Sequence, residues 1–129
     1  MPGASVDEIG RQLAAARAAG RLLDPSPPEG EAAAYALQRA ATDALDTDLA
    51  GWKIGATSPE TRARLGIAAP FFGPIPAADA HPSGATIPLA PGARGVEIEL
   101  AFRLARDLPR RLEPYALAEV AAAVDSLHP

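Results

Sequence analysis

The chain has 129 residues and a net charge of −4, contains no cysteine, and is 48% hydrophobic but only 5% aromatic. Without cysteine, disulfide scaffolds, thiolate metal sites and cysteine nucleophiles are excluded. An acidic chain with no basic run interleaved with aromatics also offers no footprint for a nucleic-acid backbone. No run of about 18 apolar residues occurs, and the start at Met1-Pro2-Gly3-Ala4-Ser5-Val6-Asp7-Glu8 lacks the basic-then-apolar order of an export signal. The expectation is a cytoplasmic protein with neither a membrane nor a nucleic-acid partner.

Ser5-Val6-Asp7-Glu8 has the form of a capping box, and Val6, Ile9, Leu13 and Ala16 follow at helical spacing, which predicts a helix over 6–19. Asp24 to Gly30 holds Pro25, Pro27 and Pro28 and reads as a stiff linker. From Glu31 to Leu45 an alanine-rich stretch puts Tyr35, Gln38, Ala41 and Leu45 on one side, predicting a second helix. Gly51-Trp52-Lys53-Ile54-Gly55-Ala56-Thr57 has strand composition, and Ser58-Pro59-Glu60 supplies the cap and first position of a short helix stopped at Leu65-Gly66. Residues 68–93, with Phe71-Phe72-Gly73-Pro74, read as a long site-forming connection holding a short strand near Thr86–Leu89.

Across 96–104, Val96, Ile98, Leu100, Phe102 and Leu104 alternate with Glu97, Glu99, Ala101 and Arg103, the period of a strand. Glu113-Pro114 then opens a last helix with Leu117, Val120 and Val124 on one face. Helices first and strands afterwards predict an α+β fold in a single domain over 1–129, with 1–50 helical and 51–129 the start of a β-rich core. The hydrophobic fraction is mostly alanine, about a quarter of the chain, which buries little area per residue, so a scant core is expected.

Eleven of the 12 basic residues are arginine, and Lys53 is the only lysine. An amine able to give up its proton is what arginine cannot supply, although a lysine beside a tryptophan is also an ordinary surface arrangement. Glu97 and Glu99 fall on one face of the predicted strand, with Cα atoms about 6.5–7 Å apart. Such a pair suits Mg²⁺ or Mn²⁺, and equally a solvated strand face that is merely acidic. Asp79, in the proline-rich connection, has the form of a turn residue. His81 and His128 lack ligand-like spacing and read as structural or solvent-exposed.

Four stretches taken in order resemble the 2-keto-4-pentenoate hydratase family of the fumarylacetoacetate hydrolase superfamily. They are Ala34-Tyr35-Ala36-Leu37-Gln38; Gly51 to Ser58; Leu65-Gly66-Ile67 with Pro70-Phe71-Phe72-Gly73; and Val96 to Phe102 leading to Asp107-Leu108-Pro109. The resemblance runs from about Ile9 to the end and covers the N-terminal half of the family's fold.

The resemblance implies that Glu97 and Glu99 are two of three carboxylate ligands of a divalent cation, Mg²⁺ or Mn²⁺, which would chelate the 1-carboxylate and 2-oxo oxygens of a pyruvate-like substrate. It also implies that Lys53 is the active-site lysine, moving protons during dienol-to-ketone tautomerisation before water adds. Asp79 is the candidate for an acidic residue after the Phe-Gly motif, with its spacing one residue off. The third carboxylate and most of the β-rich core would follow Pro129, so an incomplete domain is expected, homo-oligomeric when whole. The implied activity is hydration of a 2-hydroxydienoate in aromatic catabolism. The alternatives are decarboxylation of a 2-oxo-3-enedioate and a non-catalytic remnant or assembly subunit.

Overall fold

The computed structural model describes residues 4–24, 26–93 and 95–129. Met1 to Gly3 of the acidic start and Pro25 of the linker lie outside the described residues. The elements are α1 (Val6–Ala18), α2 (Glu31–Asp43), β1 (Leu49–Gly55), α3 (Pro59–Leu65), β2 (Phe71–Pro76), a 3₁₀ turn (Ala77–Asp79), β3 (Ala101–Leu104), α4 (Leu117–Ala121) and β4 (Val124–His128). The class is α+β, as expected. The chain divides into two compact units, one within 1–93 and one within 94–129.

In the first unit, α1 starts where Ser5 Oγ accepts a hydrogen bond from the Glu8 amide at 3.2 Å. Asp7 and Glu8 lie in its first turn and Arg17 in its last, matching the helix dipole at both ends. Gly10, Ala14 and Ala16 are its buried residues. A Cβ on Gly10 would lie 2.6 Å from the Ala40 carbonyl carbon, so the missing side chain lets α1 and α2 approach backbone to backbone.

The strand predicted over 51–57 is found two residues earlier as β1, and it pairs antiparallel with β2 in the register Trp52↔Pro74, Lys53↔Gly73, Ile54↔Phe72 and Gly55↔Phe71. The Phe71–Pro76 segment is therefore a strand and not part of a structureless connection. Its prolines are tolerated because of parity. The Phe72 N–H points away from β1, donating to Tyr35 Oη of α2 at 3.3 Å. Pro74 and Pro76 stand two and four residues on, so their missing donors fall on that same outer edge.

Helix α3 forms as its local signals dictate. Ser58 Oγ accepts from the Thr61 amide at 3.1 Å, Pro59 takes the first position, and Gly66 caps the end at φ 68°. Arg62 braces the turn before it, donating to the carbonyls of Ala56 at 3.1 Å and Thr57 at 2.7 Å. Ala56 itself has φ 55°, a left-handed conformation unusual for alanine. Residues Thr86–Leu89 form no strand, and Pro88 and Pro91 flank Leu89 with no ladder to join.

In the second unit, β3 pairs antiparallel with β4, Ala101 opposite His128 and Phe102 opposite Leu127. The strand expected over 96–104 is confined to 101–104, so Glu97 and Glu99 are not on a strand. Residues 96–100 alternate as a strand does, but β4 reaches only as far as Ala101.

The last helix is also shorter than expected. Arg111 donates to the carbonyls of Glu113 at 2.9 Å and Pro114 at 3.2 Å, which holds that segment as a turn. Helix α4 therefore begins only at Leu117, and Val124 lies in β4. Among the described residues the buried hydrophobic side chains are Ala14, Ala16 and Ala123, so the core is as scant as the composition implies.

Candidate active-site cleft

Lys53 and Asp79 line one cleft of about 270 Å³ in the first unit, together with Arg17, Gln38 and the β2 strand. Lys53 is brought there by β1, where its cross-strand neighbour Gly73 has no side chain to fill the space. A Cβ on Gly73 would meet the Gln38 amide nitrogen at 3.2 Å, so glycine keeps this wall open. Asp79 arrives from the 3₁₀ turn that follows β2, and its carboxylate is ion-paired with Arg17 from the last turn of α1.

Two side chains one helical turn apart on α2 fix the cleft's outer wall. Gln38 donates its amide to the Phe72 carbonyl at 3.1 Å, and Tyr35 accepts from the Phe72 N–H. Tyr35 also stacks on the Phe72 ring, with centroids 4.9 Å apart, and Trp52 meets that ring edge-on at 5.7 Å. These contacts tie β2 to α2 at Phe72.

Arg17 was not among the residues singled out from the sequence. Its partner stands 62 residues away, and no local pattern marks that pairing. Gln38 and Tyr35 were visible as one side of a helix, but their backbone partner was not.

Glu97 and Glu99 lie in the second unit, exposed, within residues 95–100. Their hard carboxylate oxygens, two residues apart, suit a divalent cation that keeps remaining positions for water or substrate. Among the described residues no group of three or more His, Cys, Asp or Glu side chains is placed to hold a metal ion.

His81 and His128 are exposed and neither lines the cleft, and His128 Nε2 lies 3.0 Å from Ser126 Oγ within β4. A larger hollow of about 440 Å³, bordered by Asp43, Asp46 and Asp48, contains none of the expected site residues. Among the described residues no helix is long and apolar enough to cross a membrane.

Over 120 residues the chain is 36% identical to the 2-keto-4-pentenoate hydratase of Burkholderia vietnamiensis (strain G4 / LMG 22486), an alignment covering 87% of this chain and 46% of that protein. It is 34% identical over 119 residues to the 2-keto-4-pentenoate hydratase of Paraburkholderia phymatum (strain DSM 17167 / CIP 108236 / LMG 21445 / STM815), covering 86% of this chain and 45% of that protein. The chain spans about half the length of the curated relatives it matches. No family model matches it, and no solved structure does. The resemblance drawn from the four motifs is borne out as a partial one.

Proposed function

We propose, from this kinship with 2-keto-4-pentenoate hydratases, that the chain forms part of a lyase that adds water to a 2-hydroxypenta-2,4-dienoate, a reaction of aromatic-ring breakdown in the cytoplasm. The observation that carries the proposal is the convergence of Lys53 and Asp79, 26 positions apart in sequence, on one cleft walled by the motif residues Gln38, Phe71, Phe72 and Gly73.

The chemistry asks for a proton to leave the 2-hydroxyl and another to reach C5, giving the 2-oxo-3-enoate. Water then adds across the remaining double bond, its oxygen at C4 and its hydrogen at C3. Lys53 is the residue that suits the proton transfers, because its amine can hold or release a proton where arginine cannot. The apolar run Phe71 to Pro76 restricts water along one side, and Gln38 holds that wall in place.

Glu97 and Glu99 would hold Mg²⁺ or Mn²⁺, which supplies Lewis-acid stabilisation of enolate charge when bound. The complete enzyme would need the length that the relatives have beyond this chain, with homo-oligomerisation as the expected assembly.

The test follows the ultraviolet absorbance of the dienol with Mg²⁺, using this chain together with a polypeptide matching the remaining half of a relative. Turnover in the mixture that is lost with Lys53→Arg supports the reading, since that variant keeps the charge but not the labile proton. Near-normal kcat in Lys53→Arg excludes the proton-transfer role. Calorimetry of Glu97→Gln/Glu99→Gln examines the cation separately, and unchanged Mn²⁺ affinity would return both carboxylates to a solvated surface.

A further inference from the structure

We propose that the outer edge of β1 is a dimer interface, where a second copy of this chain adds its own β1 antiparallel through the main chain of Trp52. Nothing in this pairing depends on the reaction proposed for Lys53. Phe72 turns its N–H and its C=O away from β1, toward Tyr35 and Gln38. Residues directly opposite in an antiparallel pair either exchange both bonds or turn both groups outward. Ile54, opposite Phe72, and Trp52, opposite Pro74, therefore direct their N–H and C=O groups away from β2. Among the described residues no backbone hydrogen bond engages these four groups. Lys53, opposite Gly73, directs its main-chain groups to β2 instead.

This edge is complementary to itself. An antiparallel pair about a two-fold axis uses the same residues on both sides, so each bond made by one copy is repeated by the other. Trp52 is the middle residue of β1, so an axis beside it gives the fullest overlap. There each Trp52 N–H donates to the Trp52 carbonyl of the other copy, and Lys53 stands opposite Gly51 of the other copy. No atom lies within 4 Å of where a Cβ on Gly51 would be, so the lysine side chain keeps its own surroundings. An axis at Lys53 would instead set two lysines directly opposite, an unfavourable cross-strand pair.

The side chains agree with the main chain. Trp52 and Ile54 share the face of β1 opposite Lys53 and are 57% and 58% exposed, so pairing joins two apolar faces and sets the two indoles side by side. Assembly also stops at two copies. The far edge of β2 is held by α2 at Phe72, and Pro74 and Pro76 have no amide, so a sheet ordered β2-β1-β1-β2 is closed at both ends.

The experiment uses the full chain carrying Ile98→Lys, which silences association through the second unit. Sedimentation equilibrium should show monomer and dimer in exchange and nothing larger. Hydrogen exchange at the Trp52 amide should be slower by about tenfold or more in the dimer, whereas the Lys53 amide, bonded to Gly73 in either state, stays protected at all concentrations. Trp52→Pro removes the edge donor without touching the β1–β2 ladder and should weaken the dimer by about tenfold or more, since the axis removes two hydrogen bonds at once. Trp52→Phe keeps the amide and should still dimerise.

A monomer at every concentration up to about 1 mM overturns the proposal, as does growth past the dimer. So does a dimer whose Trp52 amide exchanges freely, or Trp52 protection that is the same at all concentrations and so arises within one chain. A Trp52→Pro dimer as tight as its parent excludes the main-chain pairing, and loss of the dimer in Trp52→Phe assigns the contact to the indole instead. If Trp52→Pro also exposes the Lys53 amide, the sheet itself has opened, and exchange at the unsubstituted Trp52 decides.

Discussion

Gln38 of α2 and Phe72 of β2 are joined by a side-chain amide donating to a main-chain carbonyl at 3.1 Å, and Tyr35 takes the N–H of the same phenylalanine. A helix thereby satisfies both backbone groups of a strand residue that would otherwise face outward. Each bond of this kind is worth about 1 kcal/mol net. Tyr35→Phe/Gln38→Ala is expected to lose about 2 kcal/mol or less in urea unfolding, and to speed hydrogen exchange at the Phe72 amide while leaving α3 amides unchanged.

The contact at Gly10 gives a sharper expectation. A Cβ there would meet Ala40 backbone at 2.6 Å and its Cβ at 2.7 Å, with no flexible side chain to give way. Gly10→Ala should therefore destabilise by about 1–3 kcal/mol despite alanine's better helix propensity. Calorimetric Tm measures it, and a Tm at or above wild type would contradict the close helix approach.

Glu119 provides a pH dependence with a definite sign. Hydrogen bonds from the Arg111 guanidinium, then from the Ala116 amide, lower its pKa from an ordinary 4.5 to about 2. A depressed folded-state pKa means that the contribution is fully present above 4.5 and is lost as pH falls toward 2. Glu119→Gln should be less stable than wild type at neutral pH, with the gap shrinking below 4.5 and closing near 2 in pH-stepped denaturant titrations. A gap independent of pH would mean that the Arg111 fork does not hold the charged form.

The second unit carries an association hazard. Val96 and Ile98 are 86% and 91% exposed, and Leu100 and Phe102 beside them are exposed as well. Exposed apolar side chains of this kind beside a strand invite association with another chain. The chain by itself should be concentration-dependent in size by sedimentation, and Ile98→Lys should shift it toward the monomer. A monodisperse monomer at all concentrations would show that this face is not adhesive.

The elements legible in the sequence were those whose punctuation is local. Ser58, Pro59 and Gly66 delimit α3 within nine residues, and Ser5 opens α1 by the same means. β2 was obscured because Pro74 and Pro76 are ordinarily strand breakers, and what makes them harmless is the direction of the Phe72 amide, set by a helix 37 residues earlier. The 96–104 alternation specifies two chemically different faces but supplies no ladder partner, so only its last four residues are strand here. At the cleft, Lys53 stood out by composition and Asp79 by its motif, whereas Arg17 is one arginine among eleven and acquires meaning only through the fold.

The two prolines of β2 have one more consequence. Their outer edge lacks two donors, and Phe72, the other residue facing that way, has both its backbone groups committed to α2. An incoming extended peptide would find no free N–H there to accept from, only the Pro74 and Pro76 carbonyls. The outer edge of β2 is therefore a poor template for strand addition, and a population of these chains that aggregates through β-pairing should leave that edge unpaired.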